Sequence, residues 1–319
     1  MSKYLVCVSD TRHENYDIER EILAAIDAEL VLCNCATEED VICQCANADA
    51  ILLDMAPMGS KAVNALKKCK VVSRYGVGYD NLDIAACTER GVQATNVPDY
   101  CAEDVAEHAL ALMMACLRDV ARRDRLVRQG QWNIHRTSFR LSGKVLGVLG
   151  FGRIARELVK KCSGLGFSEI LVYDPYVSEE TCSGLGAVKA ELEDVLKAAD
   201  FLSLHMPVTP ETTGMINKHT LGMMKPTAIL VNTGRGPLIN DEDMVEALKS
   251  RKILCAGLDT HNSEPLPSAS PYFSLENVIL TDHTAYSTEE ATKDLKTKAA
   301  KNVVYALTGA PPVYPINKI

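Results

Sequence analysis

The stretch Lys144-Val-Leu-Gly-Val-Leu-Gly-Phe-Gly-Arg-Ile-Ala155 decides how this chain is read. A short apolar run passes directly into Gly150-x-Gly152-x-x-Ala155, and a helical pattern, Arg156-Glu-Leu-Val-Lys-Lys161, follows. In such an arrangement the first glycine permits a tight turn. The second lets backbone approach a pyrophosphate, and the small third residue lets helix and strand pack closely. Phosphates then lie at a helix N-terminus, where unpaired N–H groups and the helix dipole favour an anion. Arg153 offers a further cation. A strand-to-helix turn in any α/β protein would account for the glycines alone. The order of strand, glycines, helix, second strand and acid favours a dinucleotide site.

The acid is Asp174, at the end of the apolar strand Ile170-Leu-Val-Tyr173 and nineteen residues beyond Ala155. A carboxylate there hydrogen-bonds both ribose hydroxyls and repels a 2′-phosphate. Pro175 follows it, where an arginine would be needed to accept that phosphate. The expected cofactor is NAD rather than NADP.

The chain has 319 residues, 47% of them apolar, enough for two cores. Its formal net charge is −8, with acidic residues spread along the sequence and no basic stripe to track a nucleic acid. Nucleic acid is therefore not expected as a partner. No run approaches the ~20 apolar residues of a membrane span, and the N-terminal apolar run has strand length. No membrane association is expected, and a cytoplasmic location is. Twelve cysteines are present, most inside apolar runs, where a free thiol acts as a small hydrophobe. Cys33-x-Cys35 and Cys43-x-Cys45 raise the alternative of zinc. Structural zinc sites favour two to four intervening residues, and both pairs have one. The reading adopted is therefore no metal. Cys33 and Cys35 end an apolar run, while Cys43 and Cys45 fall in a helix opened by Thr37-Glu-Glu-Asp40, a capping sequence.

Apolar strand candidates recur near 4–8, 30–35, 50–53, 70–73, 92–95, 145–149, 170–173, 200–204, 228–231, 254–257 and 277–281, alternating with amphipathic helices. That alternation predicts parallel sheets built from right-handed βαβ units. One long helix is expected from Ala102 to about Arg128, leading into a second domain. His108 sits at helical spacing with Val105, Ala109, Leu112, Met113 and Leu117, which reads as a packed helix residue. A closing helix from about Thr288 to Leu307 has no later strand to serve and is expected to rejoin the first domain. The expected domains are 1–99 with 287–319, and 100–286.

A nicotinamide enzyme needs an anchor for the substrate anion and a group that exchanges a proton with the reacting oxygen. Strand Ala228-Ile-Leu-Val231 runs into Asn232-Thr-Gly-Arg-Gly236, which puts Arg235 at a strand's carboxyl end, where ligands of parallel sheets collect. A guanidinium fork binds a carboxylate through two charge-assisted hydrogen bonds. Taken alone, Arg235 would read as a surface arginine in a glycine turn. Strand Leu254-Cys-Ala-Gly257 leads to Asp259 and then Glu264, and strand Val278-Ile-Leu280 delivers Thr281-Asp-His283. An adjoining carboxylate favours a protonated imidazole, giving a serviceable acid near neutral pH. Three such residues past successive strands point to one site.

With these residues in place, nearly the whole chain resembles the NAD-dependent D-2-hydroxyacid dehydrogenases, the family of phosphoglycerate dehydrogenase and glyoxylate/hydroxypyruvate reductase. The motifs that carry the resemblance occur in order: Arg74-Tyr-Gly-Val-Gly-Tyr-Asp-Asn-Leu-Asp83, Asn96-Val-Pro98, the Gly150 fingerprint, His205-Met-Pro-Val-Thr-Pro-Glu-Thr212, Asn232-Thr-Gly-Arg-Gly236, Gly257-Leu-Asp259, Glu264-Pro265 and His283. The resemblance implies two doubly wound α/β domains, a Rossmann cofactor domain inserted into a flavodoxin-like substrate domain. It implies that Arg235 holds the substrate, His283 is the acid/base and Glu264 charges and orients it. Cofactor contacts are implied at Gly150, Gly152, Arg153, Ile154, Asp174, His205, Pro207, Thr212, Thr233 and Asp259. Substrate contacts are implied at Tyr75, Gly76, Val77 and Gly78, the last two through backbone N–H groups.

Relatives usually place proline before the catalytic histidine, where this chain has Asp282. Tyr286 stands where many relatives keep a small residue. That aromatic resembles the branch containing the C-terminal-binding protein corepressors. A Tyr286 lining the pocket would favour 2-oxo acids with a flat or thioether side chain, and the alternative is a ring pointing elsewhere. Beyond Arg74 no basic cluster for a substrate phosphate is evident. His261, in a loop without the acidic run common before Glu-Pro, is expected to face solvent. The expected activity is interconversion of a 2-oxo acid and its (R)-2-hydroxy acid. The alternative is an NAD(H)-sensing binding protein with little turnover. By resemblance the chain forms a homodimer.

Overall fold

The structure is a computed structural model that describes residues 3–134 and 138–319. The chain divides into two compact units, Met1–Tyr100 with Thr288–Ile319, and Cys101–Ser287. The first begins β1 (Tyr4–Val8), α1 (Asp17–Ala24), β2 (Ala28–Leu32), α2 (Glu38–Cys45), β3 (Ala50–Leu53), α3 (Ser60–Ala65), β4 (Val71–Arg74), α4 (Ile84–Glu89) and β5 (Gln93–Thr95). The second contains α5 (Ala102–Arg118), α6 (Val120–Arg128), β6 (Val145–Leu149), α7 (Arg153–Cys162), β7 (Glu169–Tyr173), α8 (Glu179–Ser183), β8 (Val188–Lys189), α9 (Leu192–Ala198) and β9 (Phe201–Leu204). It continues with α10 (Lys218–Met223), β10 (Ile229–Asn232), α11 (Asp241–Lys249), β11 (Cys255–Leu258) and β12 (Val278–Leu280). Helix α12 (Glu289–Thr308) then belongs to the first unit.

Both sheets are wholly parallel. The first has the order β2-β1-β3-β4-β5, the second β12-β11-β10-β9-β6-β7-β8. Parallel strands covered by helices on both faces read as continuous apolar runs, and Ala50-Ile-Leu-Leu53 and Phe201-Leu-Ser-Leu204 are buried throughout. In the second sheet the strand order reverses between β6 and β9, which defines a crevice outside their carboxyl ends.

Local chemistry sets the element ends. Thr37 and Asp40 form a reciprocal capping box on α2. Thr288 caps α12, which stops at Gly309 in a left-handed conformation. At the carboxyl-terminal side, Ile316 N–H donates to Ala94 O at 2.9 Å, and Asn317 Oδ1 accepts from Ala94 N–H and Gln93 Nε2, both at 2.8 Å. The final segment thus occupies the outer edge of β5. Among the described residues no helix is long and apolar enough to cross a membrane.

The fold differs from the sequence reading in three places. The long helix is two helices, because Asp119 adopts φ 58° and its carboxylate pairs with Arg122 and Arg123 of the following turn. The second strand lies earlier, at 28–32, and Cys33 and Cys35 follow it, bonded through their N–H groups to Val8 O and Ser9 O. The two-residue β8 escaped notice, since so short an edge strand carries no periodic signal.

A charged network is buried in the first unit. Glu19 of α1 and Lys296 of α12 are almost fully enclosed, 3.5 Å apart. Tyr75 donates its hydroxyl to Glu19 Oε1 at 2.9 Å, and Lys296 Nζ donates to Asn15 O at 2.7 Å. Removing one member leaves an uncompensated buried charge. Lys296→Met is therefore expected to cost about 3–5 kcal/mol in urea unfolding. The double variant Glu19→Gln/Lys296→Met, which keeps an acceptor for Tyr75, is expected to recover most of that loss.

Candidate active site

The carboxyl ends of five adjacent strands, β12, β11, β10, β9 and β6, deliver most of the residues singled out from the sequence. After β6, Gly150 turns with φ 84° and its N–H donates to Tyr173 O at 2.8 Å. A Cβ at Gly150 would lie 2.9 Å from the His205 carbonyl and Met206 N, so only glycine allows the β6 and β9 ends to meet this closely. Gly152, with φ −73°, is different: a Cβ there would meet nothing within 4 Å. That open space lies directly ahead of α7. Gly152 provides no side-chain cap, no acid stands in the first turn, and Arg153 is exposed there. Ile154 packs on the core and Ala155 is fully buried. These features suit a pyrophosphate.

Asp174 is tied to the same loop. Its Oδ2 accepts from Phe151 N–H at 2.7 Å and its Oδ1 from Tyr176 N–H at 2.8 Å, leaving lone pairs for ribose hydroxyls. Beyond β9, the His205 ring is bonded through Nε2 to Ser203 Oγ at 2.8 Å. Burial lowers its pKa to about 4, so the ring is a neutral surface at physiological pH. Thr212 donates its hydroxyl to Pro207 O at 2.8 Å and accepts from Thr209 N–H at 2.7 Å, closing the 207–212 loop. After β10, the Thr233 hydroxyl is buried without a hydrogen-bond partner, as expected of a group completed by a ligand.

The turn carrying Arg235 is built by Asn232, which is fully buried. Its Oδ1 accepts from Gly234 N–H at 3.0 Å, and its Nδ2 donates to Arg235 O at 2.9 Å. Arg235 Nη1 donates to Gly234 O at 2.9 Å.

Two loops then meet. His283 Nδ1 and Glu264 Oε2 are hydrogen-bonded at 2.7 Å, while Glu264 Oε1 accepts from His261 N–H at 2.9 Å. Burial alone would raise the Glu264 carboxyl, but the bonds from His283 and His261 outweigh it and hold it below the usual carboxylate range. His283 itself adopts φ 57°, a left-handed conformation that costs free energy for a non-glycine residue.

Asp259 fixes this turn. Fully buried at the end of β11, it accepts His283 N–H on its carbonyl at 2.9 Å. Its Oδ1 accepts from the Thr281 hydroxyl at 2.6 Å and Thr284 N–H at 3.1 Å, and its Oδ2 from Ala285 N–H at 3.2 Å. His108 of α5 reaches the same group, with Nε2 3.1 Å from Thr281 Oγ1 and 3.5 Å from Asp259 Oδ1. The helical spacing that made His108 a packing residue could not show what its face touches. Asn232 and Thr281, to which the sequence reading gave no role, and His108, which it read as a packed helix residue, all contact the residues of this turn or the Arg235 turn. His261 is a correction. It is half-buried, not solvent-facing, because its Nε2 bonds to Thr281 O at 2.9 Å.

Tyr286 stands edge-on to His283, with ring centroids 6.4 Å apart. Asp282 is exposed and accepts from the Thr284 hydroxyl at 2.9 Å.

In the first unit, the Tyr75 side chain is a core group bonded to Glu19, so only its backbone is available to a ligand. Gly76 has φ 141°, and its carbonyl accepts from Val97 N–H at 3.0 Å. Val77 O accepts from Asn96 Nδ2 at 2.7 Å. Among the described residues, nothing meets the Val77 and Gly78 N–H groups.

Residues 110–285 match the model of the D-isomer specific 2-hydroxyacid dehydrogenase NAD-binding domain. The chain belongs to the D-2-hydroxyacid dehydrogenase family. It is 37% identical over 267 residues to the glyoxylate reductase of Korarchaeum cryptofilum, covering 82% of this chain and 80% of that one. It is 35% identical over 307 residues to the D-3-phosphoglycerate dehydrogenase of Methanocaldococcus jannaschii, covering 95% of this chain but 57% of the relative. The chain thus spans little more than half of that relative's length. The Escherichia coli D-lactate dehydrogenase structure superposes with a TM-score of 0.85 at 28% identity, covering 98% of this chain and all of that one. The cofactor of this dehydrogenase domain is NAD, and the Gly150–Asp174 geometry fits it.

The two glycines give opposite expectations. Gly150→Ala forces a positive φ on a residue with a Cβ and should destabilise the unit by about 1–3 kcal/mol in thermal unfolding. Gly152→Ala should melt as wild type but weaken NADH about tenfold in a fluorescence titration, since its methyl enters the phosphate space. Asp174→Asn should cut the preference for NAD over NADP, read as the ratio of the two dissociation constants, by about 10- to 100-fold.

Proposed function

We propose that this chain interconverts a 2-oxo acid and its (R)-2-hydroxy acid. Bound NAD supplies or accepts the hydride at the substrate C2. The observation that carries the reading is the 2.7 Å His283–Glu264 pair at the carboxyl ends of the strands that form the cofactor site.

The pair supports a division of labour between the ring nitrogens. Nδ1 is engaged by Glu264, which leaves Nε2 as the nitrogen that exchanges a proton with the substrate oxygen. Glu264 is held at both oxygens and is ionised through neutrality, so it fixes the ring plane and stabilises the imidazolium. Arg235 binds the substrate carboxylate and polarises the adjacent carbonyl, stabilising the alkoxide charge that develops in reduction. Val77 and Gly78, in the first unit, offer backbone N–H groups suited to an anionic substrate. Tyr286, beside His283, bounds the side-chain pocket and favours a flat or thioether substituent. A homodimeric, cytoplasmic enzyme completes the proposal, and size-exclusion chromatography with light scattering measures its oligomeric state.

The test is NADH oxidation with glyoxylate, hydroxypyruvate, pyruvate, phenylpyruvate and 4-methylthio-2-oxobutyrate. Turnover of at least one is expected, with the aromatic or thioether acids favoured in kcat/KM. Tight NADH binding without turnover of any would instead support an NAD(H)-sensing role. His283→Ala should lower kcat by about 10²–10⁴ while NADH still binds, and wild-type kcat in that variant would refute the mechanism. Arg235→Ala should likewise lose nearly all turnover with NADH binding retained. Glu264→Gln keeps a partner for the ring but removes the carboxylate that fixes it, and should lower kcat by about tenfold with NADH binding retained.

A further inference from the structure

In the first unit, three thiols from three elements face one another. Cys7 lies within β1, Cys33 follows β2, and Cys45 closes α2. Their sulfur atoms all lie within 4.8 Å of one another, and Cys45 Sγ is 3.9 Å from Cys33 Sγ. All three residues are 5% exposed or less. Cys35 is buried as well, but its thiol is not one of the three sulfurs that lie together. Cys43, on the outer face of α2, is the exposed cysteine and takes no part. The spacing Cys33-x-Cys35 and Cys43-x-Cys45 thus misdirects: the fold brings in Cys7 from far upstream and leaves Cys43 out.

Thiolate sulfurs bind zinc at about 2.3 Å, which separates sulfurs sharing one ion by about 3.8 Å in a tetrahedron and about 4.0 Å in a trigonal plane. The Cys33–Cys45 separation already has that value, and the other pairs need to close by less than an ångström to reach it. The surroundings are apolar, with Val41, Ile51, Leu53 and Ala62 in the same core, so the donors are soft sulfurs with no competing carboxylate or imidazole in the group. Such donors select thiophilic ions of filled d shell. Three thiolates would be costly in this core, and a cation offsets that charge as their protons leave on binding.

We propose that Cys7, Cys33 and Cys45 form a buried thiolate site for a thiophilic d¹⁰ ion, Zn(II) or Cu(I), that ties β1, the end of β2 and α2 together. A three-coordinate site suits Cu(I). Zn(II) requires a fourth ligand, and the buried Cys35, which lies outside the three-sulfur group, would have to move in to supply it. Because the sulfurs are enclosed, the ion enters as the unit folds.

The full chain, refolded from denaturant under reducing conditions with Zn(II), with Cu(I) or with a chelator, tests this. After desalting, about one equivalent of ion per chain is expected by elemental mass spectrometry, with a thiolate-to-metal charge-transfer absorption in the ultraviolet and a higher melting temperature than the chelator sample. Cys43→Ser should bind as wild type, and Cys7→Ala/Cys45→Ala should not bind. Loss of binding in Cys35→Ala for Zn(II) alone assigns Cys35 as the fourth ligand. Should the refolded wild-type chain bind NADH normally yet retain less than about a tenth of an equivalent of either ion, the proposal is overturned whether or not the alanine variants fold. None of these readouts depends on turnover.

Discussion

The candidate active site depends on one buried carboxylate. Asp259 has no exposed surface, and an ionised group in such a place is tolerable only when hydrogen bonds replace its water. Its donors are the hydroxyl of Thr281 and the N–H groups of Thr284 and Ala285, with the His108 ring beside them. These are the residues that flank His283. The desolvation of one side chain is thereby coupled to the path of the loop, and the loop is held in a left-handed turn at His283 that an isolated peptide would disfavour. His283 does not find its orientation; it is placed there, and Glu264 then meets its Nδ1 from the other side.

The same economy governs the cofactor half. The ends of β6 and β9 approach until no Cβ fits at Gly150, which brings the glycine turn and His205 to one place. One lone pair of Asp174 is used to hold the turn, through Phe151 N–H, before any ribose arrives. The residues proposed to touch ligand are therefore already constrained by backbone contacts, and binding need not order them at a further entropic cost.

The fold class was legible because parallel strands buried on both faces read as apolar runs, and because the glycine turn has few other uses. The Glu264–His283 pairing was also legible, since both residues follow strands on the same side of a sheet. What the sequence concealed were contacts between residues far apart in the chain. His108 and Thr281 are 173 positions apart, and helical periodicity places His108 on a face without naming what covers it. Asp119 looks like an ordinary helical residue until its positive φ divides the expected long helix. The Cys7, Cys33 and Cys45 convergence was hidden for the same reason, since spacing arguments see only neighbours in the chain.

The placement of residues 314–317 along β5 bears on how copies of this protein coexist at high concentration. An uncovered outer strand is a template on which another polypeptide can add its own strand. Here Asn317 presents its side-chain amide to Gln93 and Ala94, so the hydrogen-bonding groups of that border are spoken for by the molecule's own tail. The first unit therefore carries a self-made guard against edge-to-edge polymerisation on that flank, fastened by the Asn317 side chain together with the Ile316 N–H.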